Sequence, residues 1–172
     1  PKKSNLTHTM LATADLHIHS PYSIAVSRFM QPEQLIRGCI TKGLQVLGTG
    51  DALQPDWQNG WKPYLENDSG IIIVPQGEIE DSKRVHHLIL AEDLAQFDQL
   101  RDLLAGTCRS FQSSGRPHVY LSGEEIANAA HDVGALVGPA HAFTPWTAMY
   151  AYFDSVPACY GTAKIDFLEL GL

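Results

Sequence analysis

Positive charge is scarce in this 172-residue chain: 12 Lys and Arg stand against 19 Asp and Glu, a formal net charge of −7. That balance argues against a generally basic surface of the kind that grips nucleic acid through phosphates alone, although a local patch or bound cations can reverse the field where it matters. Cysteine is also sparse. The three present, Cys39, Cys108 and Cys159, are odd in number, far apart and in no C-x-x-C arrangement, so a disulfide framework is not indicated and a reducing, cytoplasmic setting is expected. No run of about 18 apolar residues exists and no charged-then-apolar segment opens the chain, so neither a membrane span nor secretion is indicated. Internal repeats and low-complexity tracts are missing too. What remains, at 44% hydrophobic and 18% charged, suffices for one globular domain over 13–172 behind a flexible lead-in over 1–12.

Periodicity switches repeatedly between strand and helix. Strands are predicted over 14–20, 44–50, 71–74, 85–91, 135–140 and 165–170. The apolar run at 71–74 suggests burial on both faces and hence parallel pairing, while the short polar turn around Asp81-Ser82-Lys83-Arg84 suggests a hairpin. A helix begins at Pro32, buries Leu35, Ile36, Cys39 and Ile40, and stops at Gly43; a second spans 93–112 with Leu94, Phe97, Leu100, Leu103 and Leu104 inward. Ser122 and Glu125 form a capping box opening a third helix that ends at Gly134, and Thr144-Pro145 opens a fourth. Residues 51–70 read as a long loop. The alternation gives an α/β fold with a largely parallel sheet, either open or closed into a barrel.

In both arrangements chemistry gathers at the carboxyl ends of strands. His17 and His19 alternate onto one face of the first strand, where two imidazoles can hold one metal. Asp51 ends the second strand, Glu78 and Glu80 follow the third, His86 and His87 open the fourth, and His141 ends the fifth. One such residue is ordinary surface; five strands offering them together are a metal site of the kind that suits zinc, manganese or iron, with a carboxylate able to bridge two ions. His86 and His87 alternate, so only one faces that site, and His86 is chosen. His8, His118 and His131 have no partner at ligand spacing and are set aside.

These residues carry a resemblance. Asp15-Leu16-His17-Ile18-His19-Ser20, Gly77-Glu78 and Ala140-His141 resemble successive motifs of the polymerase-and-histidinol-phosphatase (PHP) superfamily. His19-Ser20-Pro21-Tyr22-Ser23, Gly48-Thr49-Gly50-Asp51, Arg84-Val85-His86-His87-Leu88-Ile89-Leu90, Ser114-Gly115-Arg116-Pro117 and Pro139-Ala140-His141 followed by Thr144-Pro145-Trp146 resemble its endonuclease Q group, across residues 14 to 172. The resemblance implies a distorted seven-stranded, TIM-like β/α barrel, of which about six strands lie in this chain. It also implies two or three divalent ions, zinc first, with manganese, iron or magnesium also accommodated. By analogy His17, His19, Glu78 and His141 are the catalytic set, Glu78 bridges ions, His86 and His141 complete neighbouring sites, and Asp51 binds metal directly. Many members read Asp-His where this chain has Asp51-Ala52, and some carry a further histidine where Ala25 stands, which leaves the number of ions open.

The family's Ser-Asp-x-His segment is not found before Leu172, so a piece of a longer protein, impaired by itself, is expected, with further domains beyond it. The implied reaction is phosphoester hydrolysis, specifically nicking of DNA on the 5′ side of a deaminated base such as uracil or hypoxanthine. A PHP phosphatase for a small ester and a catalytically incomplete module are the alternatives. Arg84, Arg116 and Trp146 are the substrate-binding candidates; Lys62, Lys83 and Arg28 are weaker ones. Trp57, Trp61 and Tyr64 also sit where a ring could stack on a displaced base, with ordinary packing the weightier reading for each.

Overall fold

The computed structural model describes residues 11–170, so most of the expected lead-in and the final two residues lie outside it. Strand β1 (Ala14–Asp15) is short; helix α1 (Pro32–Lys42) leads to β2 (Val46–Gly48), and β3 (Ile72–Val74) completes a parallel sheet in the order β1-β2-β3. Helix α1 has the expected signals: Pro32 sits in its first turn, and Gly43, at φ 72°, turns the chain out in the left-handed conformation that glycine tolerates. Ile36 and Cys39 are buried as expected, whereas Ile40 lies exposed. Residues 51–70 are not a plain loop. Helix α2 (Pro55–Trp61), capped by Gln54 accepting from Trp57 N–H, sets Trp57 and Trp61 edge to face with each other in a core cluster with Ile36, Cys39 and Leu47.

The second sheet departs from the expected parallel arrangement. Strands β4 (Gln76–Glu80), β5 (His86–Leu90) and β6 (Leu136–Pro139) pair antiparallel in that order. Five residues separate β4 from β5, too few for the crossover a parallel pair needs. Asp81 shapes the turn by accepting Lys83 N–H and Val85 N–H, each at 2.8 Å, and the hairpin read from its polar residues is present. Ile72 in β3 is exposed, so the apolar run there is not buried throughout.

Helix α3 (Leu94–Leu103) is shorter than the expected 93–112, its last residue Leu103 faces solvent and not the core, and it opens on an Asp93–Gln96 capping box. Helix α4 (Gly123–Asp132) starts on the expected Ser122–Glu125 box, and a short α5 (Val156–Tyr160) follows later. The helix expected from Thr144-Pro145 does not form. Trp146 adopts φ 70°, which no right-handed helix accommodates, and only a single 3₁₀ turn, Met149–Ala151, follows. No helix among the described residues is long and apolar enough to cross a membrane.

Residues 165–170 run beside β6 without becoming a strand. Asp166 N–H donates to Val137 O and Glu169 N–H to Pro139 O, but Val137 N–H is taken by the Asp166 side chain and Pro139 has no N–H, so the ladder is broken. The sheets do not close among the described residues. β1 faces this segment across a cavity of about 530 Å³ lined by Leu16, Leu88, Leu90 and Phe167.

Gly138 is where β6 lets the segment come close: a Cβ there would lie 2.2 Å from Phe167 O. Gly138→Ala is expected to cost about 2–3 kcal/mol, as overpacking against backbone does. The urea midpoint should fall with an unchanged slope.

Candidate metal centre

Glu78, wholly buried in the middle of β4, is the point on which the site converges. His86 Nδ1, His141 Nε2 and His17 Nε2 approach its Oε1 at 3.1, 3.2 and 3.4 Å, and His19 Nε2 approaches Oε2 at 3.5 Å. Arg116 donates to Oε2 at 3.0 Å. His17 and His19 lie just past β1, not within it, and Ile18 N–H is held by the Gln76 side chain at 3.1 Å so that both rings face inward.

Each ring's other nitrogen has a fixed partner. His17 Nδ1 meets Glu169 at 2.8 Å, His19 Nδ1 meets Asp51 Oδ1 at 2.9 Å, His86 Nε2 meets Glu80 at 3.2 Å, and His141 Nδ1 meets the Thr144 hydroxyl at 3.0 Å. Three of these partners are carboxylates, which only accept, and the Thr144 hydroxyl donates its own hydrogen to His141 O. The N–H of each neutral imidazole is thereby assigned outward, and the lone pair of each inner nitrogen faces the Glu78 carboxylate. Lone pair against carboxylate is repulsive unless a proton or a metal cation lies between, and a donor set of imidazole and carboxylate fits divalent ions of the zinc, manganese or iron type.

Without metal, the proton is the answer. Burial lowers the His17 pKa, but the bonds and charges of Glu169 and Glu78 outweigh it and raise it to about 10. Burial likewise works against ionised Glu78, yet its bonds to His141, His17 and His86 hold its carboxyl well below the usual range. A raised imidazole pKa stabilises the fold fully below the ordinary value of 6.5 and ceases to do so as pH rises through 10. The metal-free protein should therefore lose thermal stability steadily between those values. With metal in place of the proton that decline should vanish, which melting curves with and without chelator will show.

Among the residues singled out from sequence, His17, His19, Glu78, His86 and His141 come together. Asp51 stands one shell behind: its Oδ1 backs His19, and its Oδ2 accepts from Ser20 N–H, Ser20 Oγ and Ser23 Oγ at 2.6–2.8 Å. His87 points the other way, into the core. Arg116 reaches the centre, Arg84 lies at its rim 3.9 Å from Glu80, and Trp146, five residues after His141 in sequence, is 80% exposed. Trp57 and Trp61 belong to the core, and Tyr64 packs against it.

Two residues escaped the sequence reading. Glu169 backs His17 and accepts His141 N–H at 2.6 Å, and the rule that ligands gather at strand ends, applied to 165–170, would have found it. His118 meets Glu80 at 2.9 Å because 117–119 pairs with the end of β4, a tertiary contact with no local signal.

Imidazoles and carboxylates focused on one buried glutamate of a mixed α/β domain fit a divalent-metal site. No family model matches the chain. It is 42% identical to the lesion-specific endonuclease Q of Pyrococcus furiosus, with a TM-score of 0.91 over 95% of this chain and 42% of that one. Endonuclease Q in complex with a 27-mer duplex bearing an abasic lesion at the active site matches with a TM-score of 0.90 over 95% of this chain and 43% of that one, again at 42% identity. A protein from Bifidobacterium adolescentis described as a metal-dependent phosphoesterase shares the fold at 15% identity, with a TM-score of 0.58 over 93% of this chain and 77% of that one. An uncharacterised Methanocaldococcus jannaschii protein is 38% identical over 81% of this chain and 17% of its own length, and Bacillus subtilis YqxK is 26% identical over 92% and 48%. The chain thus spans less than half the length of these two relatives and of the endonuclease Q chains. In sequence and fold the chain is similar to the matching part of endonuclease Q, which supports a PHP domain close to that enzyme's.

Proposed function

We propose that this chain is the catalytic PHP domain of a metal-dependent DNA endonuclease that nicks on the 5′ side of a deaminated base, and that it forms most of a seven-stranded barrel. The observation that carries the reading is the set of four outward-pinned imidazoles whose inner nitrogens converge on Glu78. His17, His19 and Glu78 would hold one ion and Glu78, His86 and His141 a second. Ions held there supply a water of lowered pKa and neutralise charge developing on the phosphoryl oxygens.

The chain's own groups do the positioning. Asp51, Glu169, Glu80 and Thr144 keep the rings turned inward and their outer nitrogens protonated. Arg116, held by Glu78 yet partly exposed, can swing its remaining N–H donors onto a phosphate, and Arg84 stands beside it at the rim. Trp146, strained into a positive φ with its carbonyl held by the Tyr152 hydroxyl, presents a ring for stacking on an unpaired base. A base that pairs poorly costs less to extrude, which selects for lesions.

The test is a labelled duplex with one uracil or hypoxanthine, given to the protein that carries this domain. Nicking 5′ of the lesion that needs metal and is lost in His17→Ala is expected. Turnover of a small phosphate ester with no nicking would replace this reading with a phosphatase, and metal-free protein without hydrolysis would replace it with a structural module.

A further inference from the structure

On the other face of β5 lies a second group of ligand-type side chains. Asp81, His87 and Cys159 are buried, and their carboxylate, imidazole and thiol atoms lie within 4.8 Å of one another. We infer that they form a zinc site, built from the β4–β5 turn, strand β5 and helix α5, that is separate from the Glu78 centre.

The carboxylate is aimed. Asp81 Oδ1 is occupied by the N–H groups of Lys83 and Val85, which turns Oδ2 toward His87 Nε2 at 3.2 Å. That separation matches the roughly 3.3 Å between two ligands that each sit about 2.0–2.1 Å from a tetrahedral zinc. The imidazole is braced from behind: His87 Nδ1 lies 2.7 Å from the Tyr160 hydroxyl, and with its proton on that side Nε2 offers a lone pair.

The sulfur adds what a simple hydrogen-bonded chain does not need. Gly123 makes room for it, since a Cβ there would lie 2.9 Å from Cys159 Sγ and 3.0 Å from His87 Cε1. A cavity of about 290 Å³ lined by Asp81, Gly123 and Cys159 opens onto the cluster, giving a way in and space for a water as fourth ligand.

Charge and softness point to the same ion. Carboxylate, thiolate and neutral imidazole carry two negative charges, which a divalent cation cancels, leaving no net charge to bury. A thiolate beside an imidazole favours zinc over harder ions such as magnesium or calcium. Bound there, zinc would tie α5 to the hairpin that carries Glu78, Glu80 and His86.

Cobalt(II) distinguishes the two centres, because the Glu78 cluster holds only nitrogen and oxygen ligands. Metal-free protein titrated with cobalt should develop a near-ultraviolet thiolate-to-cobalt band whose final intensity corresponds to a single thiolate-bound cobalt per chain. Cys159→Ala should abolish the band and remove one bound zinc while leaving the other ions in place; His87→Gln should do the same if the first variant folds poorly. The band should survive replacement of Cys39 and Cys108 by alanine. Cobalt binding with no such band, or a band that persists in Cys159→Ala, would overturn the site and leave Tyr160–His87–Asp81 as a hydrogen-bonded chain alone.

Discussion

Glu78→Gln is expected to empty the metal centre while leaving every ligand nitrogen in place. The substitution keeps shape and removes only the negative charge on which four imidazoles and Arg116 converge. Loss of an outer partner of a metal ligand typically costs about 10–100-fold in affinity, so loss of the shared ligand itself should exceed about 100-fold. The metal-free fold should suffer as well. Protonated His17 and Arg116 would face an amide, and removing one partner of a buried ion pair costs about 3–5 kcal/mol. For a domain of this size that is a drop of roughly 10 °C in the melting midpoint. Metal titration and thermal melts of the same variant separate the two effects, since metal should rescue the wild type and not the variant.

Asp51→Asn should behave differently, and the difference reports where Asp51 stands. Its carboxylate accepts three donors at Oδ2 and braces His19 through Oδ1. Asparagine tolerates the left-handed φ of 46° found at this position, which makes it a cleaner probe than alanine. The amide must turn an N–H toward hydrogen-bond donors, at a cost of about 3 kcal/mol for bonds of this charged kind. His19 loosens, and affinity should fall about 10–100-fold with the number of bound ions unchanged. A lost ion would instead place Asp51 in direct contact with metal.

How much of this was legible in sequence depends on the range of the interaction. Pro32 with Gly43, and Ser122 with Glu125, are local signals and produced the helices they announce. The strand-end rule found His17, His19, Glu78, His86 and His141 because alternation fixes which side a residue faces once the strand is known. Pairing direction was read in part: the apolar run at 71–74 pairs parallel with β2 as expected, but Pro75 divides β3 from β4, which belongs to a second, antiparallel sheet. Asp51 was placed at the right strand end, but the hold of Ser20 and Ser23 on its Oδ2 was not legible, since that contact comes from some 30 residues away in sequence. Trp146 breaks a helix that Thr144-Pro145 would otherwise start, because Thr144 spends its hydroxyl on His141 and not on a cap.

The central claim is that Glu78 is shared between divalent ions, and anomalous diffraction from manganese-soaked crystals tests it at the atoms concerned. At least two peaks flanking the Glu78 carboxylate are expected, one about 2.1 Å from nitrogens of His17 and His19 and another at a similar distance from His86 and His141. Crystals that take up manganese elsewhere and show no peak within bonding distance of Glu78 would contradict it.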